Sequence, residues 1–554
     1  MSKCLLRMSN AVLSHHGRGI EPDISEGLNN KYNFMNFIYR LKENTKLVGI
    51  LLFFCGCFCF SQEDIKEGLP NNNNIIPALS IENEREVKKE FAFHMAMGDV
   101  YTNIRLHKSG LLQNQELCFM AGLNYNKPWT RDAAINTWNA GGLLFPSVAK
   151  NTLLSALTKN SEGEVIIDGQ YWDKVIWTVG AWNYYLYTGD KEMLKLAYEI
   201  TKRTLRLMED QEFDAKNGLF RGAAVYGDGV AAYPEIYTRS KKGNTYSAIM
   251  MWPEENPDLK ASTGYGLPMQ VLSTNCLYYQ VYKTLDKMAA ELGENPDSDW
   301  NLKAEKLKTA INNNLWNSEK QTYDYFIDPF NGSGAQEGMG LSFAIMFDVA
   351  DSAQIKAIFE NTYVEPAGIP VVWPSFPRYI NEEKTSYGRH SGTVWPHVQG
   401  FWAYAAALNN RKEIFLHEFN ILTDNAWRDK QFVEIYHPKT GEKYGGIQEN
   451  PRGKWNLTSS QNRQTWSATA YLRMVLMGVM GMRFDTDGID FKPMVPEEMG
   501  SIYLENIRYR DAILNLTIKG SGNHISSFMI NGNKTNAFIP SDIKGIQNIQ
   551  IIME

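Results

Sequence analysis

Cysteine is nearly missing from the body of this sequence: of six, Cys4, Cys55, Cys57 and Cys59 fall within the first sixty residues, leaving Cys118 and Cys276 for the rest. That excludes a disulfide framework and zinc-type ligand spacing, and it suits two buried thiols. No metal and no cofactor is expected. Positive charge is not in excess either. Lys and Arg number 56 against 62 Asp and Glu, a formal net charge of -6, and no dense basic stripe appears, so nucleic acid is not an expected partner. No apolar run reaches the roughly 20 residues of a membrane-spanning helix. The longest, residues 47–60 after Arg40, Lys42 and Lys46, has the length and flanks of an export-signal core. An exported protein is expected, periplasmic or at the cell surface, with Met35 as the start and cleavage near Phe60-Ser61-Gln62. A lipid anchor on Cys57 or Cys59 is the alternative, although the residues around Gly56-Cys57 make a poor attachment box. Finally, no fixed-period self-similarity is visible, which argues against a solenoid.

What is abundant is apolar and aromatic. With 44% apolar residues the chain can bury a large core. Fourteen Trp and 28 Tyr also provide flat rings of the kind that sugar faces stack on, although core packing is the commoner role of any single ring. Residues 1–61 read as an N-terminal extension and signal, and 62–80, with the Asn71 to Asn74 run, as a linker. From 81 to 483 the apolar spacing is mostly helical, as in Leu272, Cys276, Tyr279, Tyr282, Leu285, Ala289 and Leu292. Similar patterns near 84–106, 132–144, 146–158, 173–188, 191–210, 298–315, 339–348, 352–362, 392–408, 411–426 and 464–481 predict about twelve helices. Six hairpins of that kind can close into a ring. Long Gly- and aromatic-rich connections at 211–264 and 427–463 are the expected functional loops. From 484 to 554 the period becomes two, with Leu514, Leu516 and Ile518 alternating with Asn515, Thr517 and Lys519, which predicts a small β-sandwich-like domain. The fold class is mainly α: an (α/α)6 barrel with a C-terminal β-domain.

Cutting a glycosidic bond takes a proton for the leaving oxygen and a second carboxylate to activate water or attack the sugar, so two acids must face each other. Asp173, in Tyr171-Trp172-Asp173-Lys174, sits where a Gly-containing loop enters an apolar helix; a helix N-cap is its simpler reading. Glu434, in Phe432-Val433-Glu434-Ile435-Tyr436-His437-Pro438, is in unusually apolar company for a loop glutamate. Arg131 and Asp132, in Trp129-Thr130-Arg131-Asp132, are fit to grip neighbouring sugar hydroxyls.

These segments occur together and in order. Trp129-Thr130-Arg131-Asp132 resembles the substrate-gripping segment of glucoamylases. Trp172-Asp173 resembles the tryptophan and acid that supply the general acid of the same enzymes, with Asp in place of Glu as is usual in the related glycoside hydrolase family 63. Glu434 to Thr440-Gly441, followed by Thr465-Trp466-Ser467-Ala468, resembles the elements around the general base in both groups. The stretch Gly392 to Trp402 resembles one in family 63 and in inverting sugar phosphorylases, which implies that Trp395 and His397 line the sugar pocket. The resemblance implies an inverting, exo-acting α-glycosidase of gluco or manno type without a cofactor, acting on an oligosaccharide or glycoside. Asp173 is then the acid and Glu434 the base, with Trp129, Arg131, Asp132, Trp172, Tyr436 and Trp466 at the substrate. Inversion implies carboxyls roughly 6.5–9.5 Å apart. Two departures stand out. There is no room for the large N-terminal β-domain of many family 63 members, and the loop from Gly218 through Arg221, Tyr226 and Asp228 to Glu235 fits no glucoamylase segment. That loop is the expected seat of specificity, with Arg221, Tyr226 and Asp228 as candidates. The rivals are a phosphorylase on the same barrel, a catalytically inactive carbohydrate-binding protein, and a lyase, which would want a Tyr or His base.

Overall fold

The computed structural model describes residues 76–238, 248–295, 299–449 and 455–554. The expected export signal, and with it the lipid-anchor alternative, lies outside the described residues, as does most of the 62–80 stretch. The end of that stretch is a strand rather than a linker. Ala78–Ile81 (β1) buries Leu79 and Ile81 on alternate positions and pairs antiparallel with Ile502–Tyr509.

Twelve α-helices of seven residues or more follow among the described residues: α1 (Val87–Thr102), α2 (Thr130–Asn136), α3 (Pro146–Ser155), α4 (Asp173–Thr188), α5 (Lys191–Glu212), α6 (Leu272–Leu292), α7 (Asp299–Leu315), α8 (Gly338–Met346), α9 (Ser352–Asn361), α10 (Pro396–Leu408), α11 (Lys412–Asp429) and α12 (Thr465–Arg473). The even-numbered helices pack in a closed ring, α2 on α4, α4 on α6, α6 on α8, α8 on α10, α10 on α12, and α12 back on α2. Each odd-numbered helix packs outside. This is an (α/α)6 barrel, and burial separates its two layers. Fourteen of the 16 residues of α4 are buried, against ten of 22 in α5. A helix buried all round carries no polar face, whereas an outer helix keeps one for water.

Close approach within the inner ring depends on glycine. A Cβ on Gly180 of α4 would lie 2.7 Å from the Cα of Ala134 in α2, and one on Gly400 of α10 would lie 2.8 Å from the Cβ of Ala470 in α12. Two inner helices also widen into π-turns, Thr137–Gly141 after α2 and Met474–Val479 after α12.

Because every inner helix follows an outer one, the inner helices all run the same way. Their N-termini therefore gather at one end of the barrel. Connections arriving there are long (103–129, 156–172, 213–271, 316–337, 362–395 and 430–464), while those at the other end are short (145, 189–190, 293–298, 347–351 and 409–411). Gly189, at φ 71°, ends α4 in the left-handed conformation, and Asp190 caps α5 by accepting from Met193 N.

After α12 the chain is β. Met482–Phe484 (β2), Gly488–Phe491 (β3) and Phe538–Pro540 (β8) form one sheet. Ile502–Tyr509 (β4), Ala512–Lys519 (β5), Ile525–Ile530 (β6), Asn533–Lys534 (β7) and Gly545–Met553 (β9) form the other with β1, in the order β1-β4-β5-β9-β6-β7. Leu514, Leu516 and Ile518 are buried as their alternation predicts. Phe491 and Phe528 meet between the sheets at 5.2 Å, and Phe484 meets Tyr187 at the C-terminal end of α4 at 4.8 Å. Among the described residues, no helix is long and apolar enough to cross a membrane, and no group of His, Cys, Asp or Glu is arranged to hold a metal ion.

The tight α2–α4 crossing yields a paired test. Gly180→Ala is expected to cost about 1–3 kcal/mol by overpacking. Gly98→Ala, on α1 with nothing within 4 Å of the added methyl, is expected to be neutral or stabilising by up to about 1 kcal/mol. Urea unfolding of the two variants checks both.

Candidate active site

The end of the barrel that carries the long connections gathers four carboxyls and two arginines. Arg131 lies in the first turn of α2, buried, with its guanidinium 4.8 Å over the ring of Trp172. Its Nε and Nη2 donate to the two oxygens of Asp173, both at 3.1 Å, and its Nη1 donates to Asp228 Oδ2 at 2.6 Å. Asp173 is the first residue of α4 and does not cap it; its other hydrogen bond comes from Gln170 N at 3.3 Å. The other oxygen of Asp228 faces His390 Nε2 at 3.2 Å. Across the ring, Glu434 receives Arg389 Nη2 at 2.8 Å, the Tyr125 hydroxyl at 3.0 Å and Gln461 N at 3.2 Å. Asp132, beside Arg131, is buried, and its Oδ1 has no partner.

Electrostatics sorts these groups. Burial pushes the Asp132 carboxyl up to about 8, against the pull of Arg131 and with the help of the negative charges of Asp173, Glu434 and Asp228, so it holds a proton at neutral pH. Burial raises Asp173 too, and Arg131 opposes that rise. Burial would raise Asp228 as well, but Arg131, His390 and Arg389 outweigh it and hold this carboxyl well below the usual range. Burial and the nearby Glu434 raise the Tyr125 phenol, which keeps it a donor to Glu434.

The structure brings together most of the residues expected from the sequence, with several changes of role. Asp173 does not stand free to donate a proton: both of its oxygens are taken by Arg131, and its side chain is 5% exposed. The Asp228 side chain is 43% exposed, far more than that of Asp173 or of Glu434 at 2%. Trp172 supports Arg131 from within the core instead of presenting a face to a sugar. Trp395 lies behind the site, donating from Nε1 to Arg389 O at 2.9 Å and stacking on His390 at 5.3 Å. His397 stacks on Trp466 at 4.3 Å and meets Tyr226 edge-on at 4.4 Å. Both ring nitrogens of His397, the Tyr226 hydroxyl and Trp466 Nε1 are buried without partners, and burial holds the imidazole neutral. Trp129 is exposed at the rim, with Lys127 over its ring at 3.8 Å.

Two expected residues fall elsewhere. Arg221 donates to Gln211 O and Thr263 Oγ1 and lies 4.0 Å from Glu212 and Asp214, so it ties the base of the long connection rather than the cleft. Tyr436 turns toward α11, its buried ring 6.0 Å from the Arg428 guanidinium. Sequence reasoning missed Arg389, His390, Tyr125 and Gln461. The adjacent Arg389-His390, separated by Ser391 from the singled-out Gly392 to Trp402 stretch, was the available signal for the first two.

Residues 174–467 match the model of the family described as mannosylglycerate hydrolase MGH1-like glycoside hydrolase domain. No curated protein matches the sequence. Among solved structures, the fold is similar to that of a sialidase, at 15% identity and a TM-score of 0.58 over 83% of this chain and 40% of that one. It is similar to a GH78 family rhamnosidase of a Bacillus species, at 15% identity and 0.52 over 86% and 44%. It is also similar to a GH63 mannosylglycerate hydrolase from Thermus thermophilus in complex with glucose, at 14% and 0.52 over 69% and 100%. The chain thus spans less than half the length of the first two and matches the whole of the third. At such identities the likeness is one of fold.

A carboxyl whose folded pKa is raised favours folding while protonated, and that contribution is lost as pH climbs through the folded value. For Asp132 the window runs from its ordinary 3.8 to about 8. Asp132→Asn is therefore expected to flatten the fall in unfolding free energy between pH 4 and 8 by about one proton's worth of slope. Denaturant titrations across that range measure it; an unchanged slope contradicts the buried proton.

Proposed function

Since this chain belongs to the mannosylglycerate hydrolase MGH1-like glycoside hydrolase family, we propose that it hydrolyses α-linked terminal sugars of gluco or manno type, exo-acting and with inversion. Glu434 draws the proton from water, and Asp228 protonates the leaving oxygen. The observation that carries this reading is placement. The connections 213–271 and 430–464 precede α6 and α12, which stand opposite each other in the six-membered inner ring. Asp228 and Glu434 therefore come from opposite walls, as an acid and a base on either side of a sugar must.

Asp228 replaces Asp173 as donor because it is the carboxylate of that pair with an accessible surface. Asp173 holds Arg131, which in turn holds Asp228. At rest the surrounding cations keep Asp228 ionised. A sugar seated against it replaces water there and shifts the balance toward the protonated form. Glu434, fixed in place by three donors, is positioned to accept a proton from water.

Charge also bears on the substrate. Both arginines of the site are committed, Arg131 to two carboxylates and Arg389 to Glu434, Gly445 O, Thr458 Oγ1 and Ser459 O. Four carboxyls, with no uncommitted guanidinium beside them among the described residues, suit a neutral sugar and disfavour a uronide. The same inventory disfavours a phosphorylase, which must bind phosphate where the water sits. Action outside the cytoplasm is part of the proposal and rests on the 47–60 run alone.

Aryl α-glycosides of graded leaving-group ability test the assignment. Asp228→Asn is expected to lose about 10²–10⁴-fold in kcat/KM on poor leaving groups and far less on activated ones, which need no protonation. Asp173→Asn should lose activity to the same degree on both. A leaving-group dependence seen in Asp173→Asn instead returns the donor role to Asp173. NMR of the first-formed anomer reads inversion directly, and a retained anomer overturns it.

A further inference from the structure

We propose that the adjacent residues Arg389 and His390 act as a spacer that sets the distance between Asp228 and Glu434. The inference rests on the acid and base assigned above and adds two positioning residues to them. Neighbouring Cα atoms are about 3.8 Å apart, yet these two side chains reach the two opposite walls. Arg389 Nη2 donates to Glu434 Oε2 at 2.8 Å, and His390 Nε2 faces Asp228 Oδ1 at 3.2 Å. One short piece of the 362–395 connection thus touches both carboxylates.

That piece is itself held on every side. Arg389 N donates to Ile447 O at 2.8 Å. Arg389 O accepts from Thr393 Oγ1 at 2.7 Å and from Trp395 Nε1 at 2.9 Å. Its Nη1 reaches Gly445 O and Thr458 Oγ1, both at 3.1 Å, and Ser459 O at 3.3 Å. Gly446 packs so close that a Cβ there would lie 2.4 Å from Arg389 Cα. The His390 ring stacks on Trp395, and its Nδ1 is buried without a partner. The polar contact of this imidazole is thus made through Nε2, to the Asp228 carboxylate. A rigid link of this kind preserves the gap that a water molecule needs in an inverting site.

Other charged groups also face the pair. Arg131, Arg389, Asp173 and Asp132 surround Asp228, while Tyr125 and Asp132 surround Glu434. A spacer must therefore be recognised by which limb of the pH-rate profile each of its halves moves. Arg389→Gln removes the cation bonded to Glu434, which also acts on Asp228 from farther off, and should move the acid limb of kcat/KM to higher pH by more than it moves the alkaline limb. His390→Phe keeps the stacking on Trp395 but removes the donor to Asp228; it should move the alkaline limb to higher pH while the acid limb stays. Each variant should lose at least tenfold in kcat with KM within threefold. His390→Gln, which keeps a donor, should recover part of the loss and guards against a variant that merely misfolds. If neither limb moves, or if each variant moves both limbs by the same amount, the spacer is refuted. Asp228→Asn and Glu434→Gln run beside them separate the two levels. Wild-type turnover in either one overturns the site assignment, whereas loss in both with fixed limbs in the Arg389 and His390 variants overturns the spacer alone.

Discussion

Four carboxyls share one largely buried end of the barrel, and the whole site depends on how their mutual repulsion is settled. Two means are at work. Arg131 is divided between Asp173 and Asp228, and Arg389 is given to Glu434, so three charges are met by guanidinium groups whose planar fork suits carboxylates. The fourth, Asp132, is met by a proton. Removing any one cation from such a place would leave a buried charge without compensation, which is far more costly than losing a surface pair. Under the proposed reading the charge pattern bears on the ligand as well: among the described residues both guanidinium groups of the site are already committed to its own carboxylates.

The barrel makes that arrangement reachable. Inner helices running in one direction collect their N-termini, and hence the positive ends of their dipoles, at the end where the carboxyls lie. Arg131 and Asp132 on α2 and Asp173 on α4 are borne directly on first helical turns, so their positions follow from helix packing, held close by Gly180 against Ala134. Asp228, Arg389, His390 and Glu434 come instead from long connections. Those connections are stiffened by polar ties, one to the helix beneath, where Ser273 Oγ accepts from Val225 N, and one within the connection itself, where the Tyr233 hydroxyl donates to Gly227 O. Side chains carried on loops need such supporting hydrogen bonds to hold their geometry, because a loop alone positions them less precisely than a helix does.

Much of this architecture was legible in the chain. The apolar spacing of α4, α6 and α10 marks helices buried all round, and the change of period after residue 484 marks the sheets, because periods of 3.6 and 2 follow from backbone geometry alone. Glu434 was legible from its apolar neighbours, Arg131 and Asp132 as an adjacent pair able to grip hydroxyls, and Asp228 as part of the Gly-rich loop expected to set specificity. The division of labour was not. Asp173 beside Trp172 reads as an acid in an apolar pocket, but the pocket also holds a guanidinium supplied by residue 131. Arg221 and Asp228 lie in one Gly-rich stretch, yet they point to different ends of it because Glu212 and Asp214 hold the arginine at the base.

Local periodicity and residue type are enough to specify the helical ring, the β-region after it, and the set of carboxylates available for chemistry. Which carboxylate faces which is a property of the folded chain alone. That depends on ring closure, which brings connection 213–271 opposite connection 430–464, and on the single guanidinium of Arg131, which binds Asp173 at both oxygens and leaves Asp228 with the accessible surface.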